Sequence, residues 1–269
     1  MMNPVEVSSG SSPVILAFPH TGTSVPMEIA LSLNAEGMKL RDTDWHIHQL
    51  YAGLLPDATT VRATFHRYVI DANRDPSGQS LYPGQNTTGL VPSTDFDNQP
   101  IWIAGEEPTD ADVAKRLANF HRPYHAALEA EIERVKALHG VAIVYDGHSI
   151  RSRCPFLFDG VLPDFNIGTN NGETCAPEIE RAVAGICAAA QGYTSVVNGR
   201  FRGGWTTRHY GRPGTGVHAI QMELAQISHL ASEDTPFALD GAKTARLRAV
   251  LARILADIET ITLKTGSNR

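Results

Sequence analysis

Short apolar runs bounded by proline, glycine and polar residues recur along this chain and alternate with longer stretches of helical period. Residues 14–18 (VILAF) lie between Pro13 and Pro19, which predicts a buried strand rather than a helix. Residues 42–55 place Ile47, Leu50, Tyr51 and Leu54 at helical spacing behind a Thr43 or Asp44 cap. Residues 61–70 read as a strand or strand pair. The strongest helical pattern is 110–139, with Val113, Leu117, Phe120, Leu128, Ile132 and Val135 on its apolar side and Gly140 as terminator. Pro123 inside it predicts a kink or two abutting helices. Residues 141–145 (VAIVY) predict a buried strand ending at Asp146-Gly147-His148. A helix over 177–190, strands over 193–197 and 217–224, and a closing helix over 241–262 complete the pattern.

Strands alternating with helices predict one α/β domain over 1–269, with a mostly parallel central sheet covered on both faces. The start, 1–12, is expected to be flexible. Residues 76–108 are 33 positions rich in Gly, Pro, Asn, Asp and Thr without a period. That is too long for an ordinary connection and reads as a functional loop.

Composition narrows the class. The chain has 269 residues, 42% hydrophobic and 19% charged, enough apolar content to exclude bulk disorder. Its 23 Lys+Arg against 29 Asp+Glu give a net charge of −6, which argues against nucleic acid or an anionic membrane as partner. No apolar run reaches the roughly 18–20 residues of a membrane span, and 1–12 does not read as a signal peptide. Cys154, Cys175 and Cys187 are three cysteines without CxxC spacing, which fits a reducing cytoplasm. Oligomeric state is not legible.

Polar clusters follow four predicted strands: Pro19-His20-Thr21, Asp71-Ala72-Asn73-Arg74, Asp146-Gly147-His148 and Glu223. In a parallel sheet all four share the carboxyl rim, where ligands gather. His20 and His148 with one acid make an open Zn²⁺ site, three protein ligands and a water whose pKa falls toward about 7. Asp42 and Asp44 both offer the acid. His46 and His48 suit exposed or supporting positions better than ligation. Asn73-Arg74 suits carboxylate binding, or alternatively a turn in which Arg74 pairs with Asp71 or Asp75. Arg67, Arg151 and Arg212 are further cations near the rim, so a small anionic substrate is expected. Walker, Rossmann and G-x-S-x-G patterns are absent.

Seven blocks carry a resemblance: PHTGTSVP (19–26), DTDWHIHQLY (42–51), RYVIDANRDP (67–76), LYPGQNTTGL (81–90), YDGHSIRS (145–152), NGRFRGGWTTRHYGRP (198–213) and HAIQMELAQ (218–226). Together they resemble the N-formylglutamate amidohydrolase family, over residues 13–230. The resemblance implies hydrolysis of N-formyl-L-glutamate to formate and L-glutamate, a step of histidine degradation. That family is in turn similar to zinc carboxypeptidases and the aspartoacylase group, which implies a zinc-exopeptidase-like fold. It lays the metal ligands on His20, His148 and an acid, with Zn²⁺ or another divalent ion. The order of parts continues through Arg67, Asn73-Arg74 and a late Glu223.

One departure stands out: the relatives' first motif is H-x-x-E, and this chain has Thr23 there. Asp44 is the preferred replacement, with Asp42 or Glu223 as alternatives. Glu223 is assigned as general base and then acid, with Arg67 beside the oxyanion. Asn73 and Arg74 are assigned to the substrate carboxylates, and Arg151 and Arg212 stand in reserve. The other readings are hydrolysis of another small N-acyl amino acid, and a non-catalytic anion-binding paralogue.

Overall fold

A computed structural model describes residues 2–81 and 83–266. Its strands are β1 (Val5–Ser8), β2 (Val14–Phe18), β3 (Thr59–Ala63), β4 (Ala142–Ile150), β5 (Phe165–Gly168), β6 (Ser195–Val197) and β7 (Val217–Ala225). Its helices are α1 (Met27–Ala30), α2 (Ile47–Tyr51), α3 (Asp110–Arg116), α4 (Arg122–His139), α5 (Pro177–Ala189), α6 (Trp205–Tyr210) and α7 (Gly241–Gly266). The strands form one sheet in the order β1-β3-β2-β4-β7-β5-β6. Its centre, β3-β2-β4-β7, is parallel, while β1 and β5 run antiparallel to their neighbours β3 and β7.

Side-chain alternation builds two cores from the same strands. Val14, Leu16, Phe18, Ile143, Tyr145, Ile220 and Met222 face one side, where residues of α5 and α7 join them. Ile15, Ala17, Ala142, Val144, Val217 and Ala219 face the other, against Leu128, Ile132 and Val135 of α4. Along this second face the alternation turns polar toward the strand ends, at Asp146 and His148 on β4 and Gln221 and Glu223 on β7. The two strands pair in parallel over nine residues, with His148 opposite Glu223. The apolar half seats α4, and the polar half is the floor of a site.

Several expectations need correction. Residues 1–12 are not simply a flexible start, because Val5–Ser8 pairs with Thr60–Ala63 at the sheet edge. The strand expected over 61–70 ends at Ala63, and the helix expected over 42–55 keeps only five residues. His148 and Glu223 lie within strands rather than after them. Pro123 does sit at a break: α3 and α4 abut through a π-helical turn, Leu117–His121. The described part of 76–108 holds no helix or strand, only bridges at Thr94, Pro100 and Trp102.

Candidate active site

His20 leaves the end of β2, His148 rides on β4, and Asp44 sits in the turn before α2. All three are at least 98% buried. His20 Nδ1 and His148 Nδ1 approach to 3.2 Å, and Asp44 Oδ2 lies 3.0 Å from His148 Nδ1 and 3.8 Å from His20 Nδ1. The far nitrogens are occupied. His20 Nε2 donates to Asp71 Oδ1 at 2.7 Å, and His148 Nε2 donates to Asp146 Oδ1 at 3.0 Å. Each carboxylate fixes its ring with Nε2 outward and Nδ1 facing the cluster, the arrangement that orients metal-binding histidines.

The charges differ between the two rings. Burial, helped by Arg67, pushes the His20 imidazole down to about 4, so it is neutral. Burial also opposes charge on His148, but Asp146 and Asp44 outweigh it and hold its pKa well above the ordinary histidine range, so its Nδ1 proton rests against Asp44, where a divalent ion would displace it. Asp44 is likewise kept ionised against burial by His148, His20 and Arg67. Two nitrogens and a carboxylate oxygen thus converge on one point that favours positive charge. Tetrahedral zinc spaces its ligand atoms about 3.3 Å apart, close to what is found. The residues fit a divalent ion. Among the described residues this is the group whose ligand atoms lie within 4.8 Å of one another. Asp42 is not in it; its Oδ2 accepts from Tyr68 Oη and Phe96 N.

The pocket beside the cluster is lined by Arg67, Asn73, Arg74, Gln221 and Glu223 from the floor. Thr87, Thr88, Phe96, Leu157, Arg200 and Phe201 from three loops form its walls. Burial pushes the Glu223 carboxyl up to about 8, with Asp44 and Asp146 adding to the shift. A nearby dication lowers it. Gln221 Nε2 donates to its Oε2 at 3.2 Å, while Gln221 Oε1 accepts from Gly204 N. Arg67 donates to Asp71 Oδ2 at 2.9 Å and stacks on Phe96. Asp71, Asp44 and Asp42 outweigh burial and keep it charged.

The chain matches the family model described as N-formylglutamate amidohydrolase over residues 12–229. It is 43% identical to an N-formylglutamate deformylase of Pseudomonas aeruginosa over 251 residues, 93% of each chain. A Pseudomonas putida enzyme of the same name is 44% identical over 229 residues, 85% of each. This chain belongs to the N-formylglutamate amidohydrolase family. The fold agrees: a crystal structure of N-formylglutamate amidohydrolase from Ralstonia eutropha superimposes with a TM-score of 0.76 at 26% identity, covering 99% of this chain and 98% of that one. A gene product of Agrobacterium tumefaciens shares the fold, with a TM-score of 0.72 at 18% identity over 97% and 96% of the two chains.

Within this N-formylglutamate amidohydrolase family member, seven of the nine residues expected at the site come together: His20, Asp44, Arg67, Asn73, Arg74, His148 and Glu223. Asn73 Oδ1 accepts from Thr206 N at 2.8 Å, and its Nδ2 lies 3.0 Å from His148 Nε2. Arg74 donates to the Thr88 and Asn73 carbonyls and lies 3.7 Å from Asp71, so it also pins the loop above. Arg151 does not line the pocket; it pairs with Asp97 at 2.9 Å. Arg212 is at the wrong end of the sheet. It bridges Val217 at the start of β7, six residues and about 20 Å of strand from Glu223.

Sequence reasoning missed Asp146 and Asp71 as partners of the histidines, and Arg200 as a pocket cation. Asp146 was findable, since i and i+2 on a strand share a face. Arg200 ties the walls together, donating to Leu157 O at 2.9 Å and Asn86 O at 2.8 Å, while Asn86 Nδ2 donates to Phe156 O. Gly204 is required by Asn73: a Cβ there would meet its Cγ at 2.6 Å and Nδ2 at 2.3 Å. Gly204→Ala is therefore expected to displace Asn73 and lower kcat/KM by at least about 10-fold. An unchanged kcat/KM in a normally folded variant would remove Asn73 from the working site.

Proposed function

We propose that this chain hydrolyses N-formyl-L-glutamate to formate and L-glutamate, in histidine degradation, with one divalent ion held by His20, Asp44 and His148. Zn²⁺ is the first choice, because two imidazoles and a carboxylate suit it. The observation that carries the reading is the His20–Asp44–His148 cluster with buried Glu223 beside it, in a chain of this family.

When bound there, a divalent ion supplies Lewis-acid polarisation of the formyl carbonyl and eases ionisation of water. Glu223 takes a proton from the attacking water and gives one to the departing glutamate nitrogen, because an amine anion is a very poor leaving group. Its raised pKa suits a group that must both accept and donate near neutrality. Arg67 faces the same pocket and stabilises negative charge on the former carbonyl oxygen. Arg74 and Arg200 supply positive potential for the two substrate carboxylates. The three buried free thiols, Cys154, Cys175 and Cys187, support a reducing, cytoplasmic setting.

The deciding experiment is formate release from N-formyl-L-glutamate, N-formyl-L-aspartate and N-acetyl-L-glutamate, with and without chelator. N-formyl-L-glutamate should be hydrolysed fastest, chelator should abolish the rate, and added Zn²⁺ should restore it. Equal rates on all three substrates would overturn the substrate assignment, and indifference to exhaustive chelation would overturn the metal.

A further inference from the structure

The turn that carries Asp44 has bonds of its own, from Trp45 N to Thr43 O at 2.9 Å and from Ile47 N to Asp44 O at 3.3 Å, and draws further support from a distance. Asp44 N donates to His20 O at 3.0 Å, but the flanking residues lean on a segment more than 180 positions away. Gln226 Nε2 donates to Thr43 O at 2.9 Å, and His229 Nε2 donates to Trp45 O at 3.2 Å. These are the two carbonyls on either side of Asp44. His46 Nε2 donates to Phe237 O at 2.9 Å, and the Trp45 and Phe237 rings stack at 4.7 Å and 10°. Gln226 and His229 are 1% and 0% exposed. Burial pushes the His229 pKa down to about 4, so the ring is a neutral donor.

The local backbone needs that support. His46 has φ of 61°, a left-handed conformation uncommon outside glycine and favoured where the surroundings hold it. The supporting segment is itself anchored. Glu233 accepts from Ser152 N, Ser152 Oγ and Ile227 N, which ties it to the chain leaving β4. It also continues directly from β7, three residues after Glu223.

We propose that residues 226–237 act as a strap in which Gln226 and His229 are positioning residues, fixing the Asp44 carboxylate against His148 and coupling it to the strand that carries Glu223. The proposal rests on the metal reading above. Asp44 Oδ2 has its other bonds from His148 Nδ1 and Ser149 N, both on β4. The strap thus fixes the backbone of the turn while β4 receives the side chain. Releasing Trp45 O, or leaving Thr43 O to its bond from Trp45 N, lets the turn relax and moves the carboxylate off the ligand point. Loss of such supporting bonds typically costs 10–100-fold in metal affinity.

The test is Zn²⁺ affinity of the full chain, read by competition with a chromophoric chelator, together with the thermal midpoint of each protein. His229→Leu and Gln226→Leu should each bind Zn²⁺ about 10–100-fold more weakly than wild type while remaining folded. His229→Gln, which can place an N–H at the same carbonyl, should recover most of the loss. If His229→Leu fails to fold, Gln226→Leu decides the matter. Folded Leu variants with wild-type affinity overturn the strap and leave the metal reading standing. A wild-type protein that binds no Zn²⁺ overturns the metal reading, and the strap with it.

Discussion

Replacing Glu223 with Gln is expected to lower kcat by about 10²–10⁴-fold, with metal content intact and KM changed far less. Gln keeps the shape of the side chain, so the bond from Gln221 to the Oε2 position can be replaced by an amide contact while the proton-accepting oxygen is lost. Glu223 stands outside the His20–Asp44–His148 group, which is why metal content should survive. The carboxyl is also buried with its pKa raised, so it occupies an environment that disfavours its charge. A carboxyl in so costly a place needs a partner or a task, and the side chain that hydrogen-bonds it among the described residues is a neutral amide. Loss of metal in Glu223→Gln would make Glu223 the acidic ligand and free Asp44 from that role. Full activity with full metal would overturn the mechanism.

His148→Ala should remove stoichiometric metal and activity together, and it should destabilise the fold more than His20→Ala does. The asymmetry comes from the carboxylates left behind. Without His20, Asp71 keeps Arg67 at 2.9 Å and Arg74 at 3.7 Å. Without His148, Asp146 keeps the Thr207 hydroxyl at 3.0 Å among the described residues, and Asp44 loses its closest side-chain partner. An uncompensated buried charge costs about 3–5 kcal/mol, which a urea titration resolves readily. Full metal occupancy in both variants would sink the ligand assignment. Equal loss of stability in both would show that Arg67 does not shelter Asp71 as its geometry implies.

The sequence made much of this legible, for reasons that differ by residue. VILAF and VAIVY announce β2 and the start of β4, because strands buried on both faces read as unbroken apolar runs. The same rule hid the end of β4, where Asp146 and His148 interrupt the run in order to build the site. β5 escaped because four residues, FNIG, carry too little pattern, although all are buried. The turn at Thr43–His46 reads as the cap and first turn of a helix because nothing local reveals bonds from Gln226 and His229. Arg212 was misplaced because a one-dimensional reading attaches a cation to its strand without saying which end holds the chemistry.

The pairing of β4 with β7 sets a limit on how this catalyst can change. His148 and Glu223 occupy facing places in one hydrogen-bonded ladder, so their separation is that of neighbouring strands. No hinge can open or tighten it without breaking the centre of the sheet. Adaptation to a longer acyl group or a shorter amino acid must therefore be made in the walls, where the 76–108 loop meets Leu157 and Arg200. Grafting those loops between homologues should transfer substrate preference while leaving the reaction centre untouched.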